Sequence, residues 1–347
     1  MNKGFWSGIW SGRVVRKLLF ISVAVLGVVS IIASGGGGGG DDDGDGDGDG
    51  VHAFNFTLTN MVDAVQISIA VPDMFPGFSD VTVAIMGAVE GGGLTSNIPV
   101  DIDLCSNAPT GTATLTWVDN DSSGDMSAGD TISMAISSCD LGADGSTVSG
   151  SIEMGFSVVD IASLPRSFTA SIDIDVDILD AGDTIGFVGH FILEAYTGDD
   201  TSFTFSYTGA DPDGLLTASL NSQTIFKFGC FSVNHTFSTA DPEGTYGLAV
   251  NGVVNAVDNI MSLAGGPALS FLPYPSPGGS YLDAGQKRLL SFAAPECAAV
   301  DVPTGVGDSD GNYIDIIATG GGNLTLELHD SSDTLLNAIY TTWDVLY

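Results

Sequence analysis

The chain is predicted to be all-β: an antiparallel meander forming a β-sandwich or an open half-barrel, with one or two short helices near its N-terminus. Three observations carry this. The periodic segments are built from Val, Ile, Thr, Phe and Tyr, which suit a pleated, half-buried surface. Turn signals rich in Gly, Asp, Ser and Pro recur from position 98 onward, roughly every 8–15 residues. Stretches of strong helix formers are nearly missing.

Taken in order, residues 1–34 read as an export signal. Lys3, Arg13, Arg16 and Lys17 form a basic start, and 18–32 is uncharged and apolar but short for a membrane span. An uncleaved membrane anchor is the other reading of the same segment. Residues 35–50, a glycine run followed by alternating Asp and Gly, offer no apolar area to bury and read as a flexible, solvated tether. Residues 51–347 then form one β-rich domain, with a sub-domain break expected near 265–279, where Pro267, Pro273, Pro275 and Pro277 cluster.

Charge narrows the partners. Beyond residue 34 the chain holds 43 acids against four bases, Arg166, Lys227, Lys287 and Arg288, for a net charge of −39. Such a surface repels nucleic acid and anionic membrane, leaving the N-terminal segment, if uncleaved, as the sole membrane contact. It suits divalent cations, or a saline medium that screens self-repulsion.

Within the domain, Asn60 reads as a helix cap and 61–70 as the best helix, ended by Pro72 and Pro76. The apolar run 81–89 is of either type. Strands are expected over 100–105, 112–118, 131–139, 148–159, 168–179, 184–196 and 201–208, then over 289–292, 313–319, 323–328 and 338–347. Residues 168–179 are the plainest case. Ile172, Ile174, Val176 and Ile178 alternate with Asp173, Asp175 and Asp177, so one face is buried and the other is a solvated or cation-binding row of acids. Two Asp-Pro-(Asp/Glu)-Gly segments, at 211–214 and 241–244, each predict a hairpin turn.

The most chemically specific stretch is 117–130. A calcium loop of EF-hand type places oxygen ligands at positions 1, 3, 5, 7, 9 and 12, with Gly at 6 for the sharp turn. Counting from Asp119, those positions hold Asp121, Ser123, Asp125 (through its backbone carbonyl), Ser127 and Asp130, with Gly124 at position 6 and apolar Met126 at position 8. Ca2+ is a hard cation wanting roughly 6–8 oxygens, which alternate residues of a tight loop supply. Asp130 is a shorter arm than the usual Glu. The flanks alternate as strands, not helices, so the loop joins a hairpin. An acidic turn with purely conformational reasons for its Asp, Ser and Gly is the competing account. A second, poorer turn of the same kind is expected at 308–315, lacking an acid at Val306.

Four cysteines fit an oxidising compartment, and the expected pairs are Cys105–Cys139 and Cys230–Cys297. For the first pair, an up-down-up order of strands brings both thiols to the sheet end opposite the loop. His235 alternates with Phe231, Val233 and Phe237 and is expected in the core.

Two known catalytic signatures are missing: the phosphate-cradling Gly-x-x-x-x-Gly-Lys-(Ser/Thr) and His-Glu-x-x-His. The run Ile31-Ile32-Ala33-Ser34 resembles a bacterial lipoprotein signal with Ser34 in place of the acylated cysteine. The loop from Asp119 resembles those of dockerins. With Gly35 to Gly40, Trp117 to Asp130, and Trp343, the chain resembles uncharacterised exported bacterial β-rich proteins, a resemblance that implies no activity. The expected role is that of a non-enzymatic cell-envelope or extracellular protein (periplasm, outer-membrane surface or medium), stiffened by Ca2+ and binding a protein or glycan. The alternatives are a secreted polysaccharide hydrolase and an outer-membrane β-barrel. The alternation of Ile339, Trp343 and Val345 before Tyr347 prompts the last.

Overall fold

The computed structural model describes most of residues 94–342 and scattered residues between 52 and 82. Outside it lie 1–51, most of 54–93, the segments 141–145, 210–215, 239–245, 265–268, 274–279, 292–311 and 343–347, and a few single positions. The signal, the tether, Cys297, Trp343 and the turn at 308–311 therefore fall outside the described residues. So does the side chain of Cys230.

The described chain is all-β. In order its strands are β1 (His52–Ala53), β2 (Val100–Asp101), β3 (Thr112–Val118), β4 (Thr131–Asp140), β5 (Thr147–Asp160), β6 (Arg166–Asp180), β7 (Asp183–Thr197), β8 (Ser202–Gly209) and β9 (Leu216–Leu220). They continue as β10 (Gln223–Ser238), β11 (Tyr246–Ala256), β12 (Asn259–Ala264), β13 (Leu269–Pro273), β14 (Ser280–Ser291), β15 (Tyr313–Gly320), β16 (Asn323–His329) and β17 (Leu335–Thr342). Each strand from β2 to β7 pairs antiparallel with the next, and so does each from β14 to β17. The parallel exception is β1, alongside β12. Among the described residues β2 and β17 do not pair, so the sheet stays open.

Two positions in the meander are shared by collinear strands. β8 and β9 both run antiparallel to β7 and to β10, filling one slot between them. β12 and β13 do the same between β11 and β14. This corrects one expectation. The Asp-Pro-Asp-Gly at 211–214 does not turn a hairpin, because Gly209 and Leu216 continue in one direction along β7. Thr208 faces Ile192 and Leu216 faces Gly189, so β8 and β9 are collinear rather than paired with each other; 210–215 themselves lie outside the described residues. The second copy, at 241–244, does connect an antiparallel pair, β10 and β11. The proline-rich 265–279 is not simply a crossing, since it contains β13. Nor does the first strand reach Cys105; β2 ends at Asp101.

The burial alternation of β6 follows its sequence. Ile172, Ile174, Val176 and Ile178 are buried, while Asp173, Asp175 and Asp177 face solvent. The same inner face carries Leu115 and Trp117, Ile132 and Met134, and Phe187 and Phe191 from neighbouring strands. A helical segment lies on it. Met61, Ala64, Val65, Phe75 and Phe78 are helical and buried. The Phe75 ring lies 4.9 Å from Tyr207 and 5.7 Å from Phe191. Ser79 donates to the Phe75 carbonyl at 3.2 Å, one turn back, which leaves its oxygen to accept from Tyr207 at 2.7 Å and from His235 at 2.8 Å. All three side chains are buried, so this relay satisfies polar groups that would otherwise be costly between helix and sheet. His235 is thus a core residue, as its alternation implied.

The disulfide Cys105–Cys139 forms at the sheet end opposite the 119–130 loop. A β-bulge makes it reachable. Ile136 faces Gly150 but Cys139 faces Val148, so one extra residue shifts the alternation and turns Cys139 inward. Ser138 takes φ 45° there, and Gly150 takes φ +129°. A Cβ on Gly150 would overlap the Asp175 carbonyl oxygen and come within 2.7 Å of the Val176 Cα.

Two outcomes are expected in urea unfolding followed by circular dichroism. Gly150→Ala should cost at least about 2 kcal/mol, since both conformation and space oppose the methyl group. Replacing Cys105 and Cys139 together by Ser should cost roughly 3–4 kcal/mol, the closure entropy of a loop this long.

Candidate metal centre

The loop 119–130 connects β3 to β4 as a hairpin, with Val118 facing Thr131 at its mouth. The sequence dictates its shape. Ser122 adopts φ 58° and Gly124 φ 81°, and the space around a Gly124 Cβ is open, so backbone conformation alone asks for glycine at that position. Met126 is buried and pins the loop to the sheet.

Three carboxylates converge. One oxygen from each of Asp119, Asp121 and Asp130 lies within 4.8 Å of the others, and this is the sole such group of three potential ligands among the described residues. Asp119 and Asp130 are buried, 7% and 0% exposed, while Asp121 is exposed. Two buried like charges at this separation repel by roughly 3–4 kcal/mol at an effective dielectric near 20. The cluster could hold a metal ion.

Each carboxylate is held by donors. Asp119 accepts the Ser123 N–H at 3.1 Å and the Gly124 N–H at 2.8 Å. Asp121 accepts the Ser123 N–H at 2.9 Å and the Ser127 hydroxyl at 2.9 Å. Asp130 accepts the Asn120 N–H at 2.9 Å, the Ser127 N–H at 2.9 Å and the Trp117 indole N–H at 3.4 Å. Ser123 donates its hydroxyl to the Asp125 carbonyl at 2.7 Å. Of the six expected positions, three carboxylates therefore meet. The hydroxyls of Ser123 and Ser127 lie in the same network. Asp125 enters through its backbone carbonyl, and its own carboxylate is not part of the cluster.

Three contributors were not expected. Trp117 and Asn120 both hold Asp130, and Asn120 also donates its side-chain amide to the Gly129 carbonyl at 2.7 Å. The loop is further stapled to β5. Gly129 N–H donates to the Phe156 carbonyl at 2.7 Å, and Phe156 N–H to the Asp130 carbonyl at 2.9 Å. The motif signalled Trp117 and Asn120 by their position beside Asp119; nothing local signals Phe156. Of the second expected turn, 308–311 lies outside the described residues, and Asp315 is a buried residue of β15, within the strand expected over 313–319, facing Arg288 and Glu327.

Among the described residues, fold and loop define a class: an open antiparallel β-protein with the Cys105–Cys139 disulfide and a carboxylate cluster able to hold a metal ion. Comparison of the chain with family models, curated proteins and solved structures gives no match.

The nearby Ser123 side chain and its N–H, then the Ser127 hydroxyl, hold the Asp121 carboxyl down at about 2. The folded value lies below the unfolded one of about 3.9, so its stabilisation is present above that pH and lost as pH falls toward 2. In metal-free buffer, thermal melts from pH 5 to pH 2 should therefore fall less steeply for Asp121→Asn than for the parent chain. Identical slopes would show that Asp121 is not held this way.

Proposed function

We propose that this chain is an exported, non-enzymatic protein of the cell envelope or extracellular space, whose sheet is stabilised by Ca2+ in the 119–130 loop, and which binds a protein or glycan. The convergence of Asp119, Asp121 and Asp130 carries the reading. The donors on offer are all oxygens: three carboxylates, two hydroxyls and the Asp125 carbonyl. Without nitrogen or sulfur the set favours a hard cation, and the irregular twelve-residue loop suits the loose coordination of Ca2+ better than the strict octahedron of Mg2+.

The remaining support is indirect. The disulfide accords with an oxidising compartment. The basic and apolar opening segment accords with export. The outward face of β5 to β7 exposes Ser151, Glu153, Asp173, Asp175, Asp177 and Glu194, where a membrane barrel would present an apolar band to lipid. A non-enzymatic role rests on the absence from the sequence of a phosphate-cradling loop and of a His-Glu-x-x-His zinc motif.

Calcium in excess over its Kd should raise the melting temperature by roughly 5–10 °C. Asp119→Ala with Asp121→Ala should abolish the rise. Because the Trp117 indole donates to Asp130, filling the site should also change its fluorescence. A melt unmoved by either calcium or chelator would remove the ion from this account.

A further inference from the structure

A buried histidine lies between the helical segment and the sheet, and neither the loop nor the proposed role uses it. His235 is 2% exposed, and its relay partners Ser79 and Tyr207 are both 0% exposed. The relay fixes the tautomer. Ser79 spends its hydroxyl hydrogen on the Phe75 carbonyl, so the 2.8 Å contact with His235 requires a proton on Nδ1. The lone pair is then on Nε2, an atom that is itself buried. With Ser79 and His235 both sealed from solvent, the pair serves packing and not attack on a substrate.

The described residues around the imidazole are uncharged. They are Ser79 from the helical segment, Phe205 directly opposite and Tyr207 diagonally on β8, and Val233 two positions back on β10. On the other side β11 places Leu248 opposite His235, with Tyr246 two positions along. The two tyrosines stay neutral to about pH 10. The acids of the segment, Asp63, Asp73 and Asp80, lie outside the described residues.

We propose that His235 is a pH-sensitive latch, whose protonation in mildly acidic surroundings undocks the helical segment from the sheet. The second proton has to be carried at Nε2, inside an apolar contact, and burial disfavours the charged form. The docked chain therefore binds that proton less well than the undocked one. The contribution to docking is full above the ordinary histidine value of about 6.5 and is lost as pH falls below it. One proton gained on opening makes opening up to about tenfold easier per pH unit. Phe75 packs on Phe191 and Tyr207, and Phe78 on Phe191, with ring centres 4.9 to 5.7 Å apart. Undocking bares that aromatic surface of the inner face.

The test uses the full chain in excess calcium, which engages the loop carboxylates and leaves the window from about pH 7.5 to about pH 5.5 to histidine. Replacing His52, His190 and His329 together by Gln leaves His235 as the single histidine. Its ring proton resonances should titrate below about 6.5. Across the window the urea midpoint of this variant should fall, and the fluorescence of the dye ANS should rise as aromatic surface is exposed. In the parent chain His235→Phe keeps an apolar ring in place and cannot titrate, so it should flatten the fall in midpoint. If one of the two variants does not fold, the other decides. A ring that titrates at or above about 6.5, as beside a carboxylate, overturns the proposal. So does a midpoint or dye signal that does not move toward pH 5.5, or a fall that persists in His235→Phe.

Discussion

A buried carboxylate must be satisfied, and Asp130 is the one on which this part of the molecule turns. It is fully buried, a position that costs several kcal/mol for an unpaired ionised group. Three N–H groups meet it, from Asn120, Ser127 and the Trp117 indole. Satisfying them dictates how the loop closes, and the closure brings Asp119 and Asp121 alongside. The backbone carbonyl of the same residue accepts from Phe156, so the loop is continuous with a third strand. One residue thereby joins β3, β4 and β5 at one end of the sheet, as the Cys105–Cys139 bridge ties the β2–β3 connection to β4 at the other.

The two faces of the sheet divide the labour. The inner face is apolar, and the helical segment seals part of it with Phe75 and Phe78. Among the described residues it carries a polar relay, Ser79 with Tyr207 and His235. The outer face is a lattice of acids and hydroxyls, with isolated apolar residues such as Val188 and Tyr196. A surface this acidic holds copies of the chain apart by mutual repulsion and draws cations toward it. Selectivity then depends on where the carboxylates are gathered, as Asp119, Asp121 and Asp130 are in the loop.

Legibility varied with how local the cause was. The long alternating strands, above all β6, were readable because a period of two leaves no freedom over which side chains go in. The loop was readable for a related reason: its ligand spacing and Gly124 are properties of a dozen consecutive residues. Cys105–Cys139 followed from counting strand directions. The failure has a physical cause as well. The Asp-Pro-Asp-Gly at 211–214 carries the same turn chemistry as 241–244, yet the first joins two collinear strands, β8 and β9, and the second an antiparallel pair, β10 and β11. Local preference permits both outcomes, and the pairing of β8 and β9 with β7 and β10 decides.

What the amino-acid sequence determined by itself is therefore the class of fold, the inner and outer identity of the long strand β6, and the local form of the acidic hairpin. These rest on periodicity and backbone preference, which act between residues a few positions apart. Only the tertiary structure decided that a bulge beside Gly150 turns Cys139 inward, and that Phe156 anchors the loop. Each depends on register between strands distant along the chain. Register is settled by which whole set of apolar side chains can be buried at once, and no single segment carries that information.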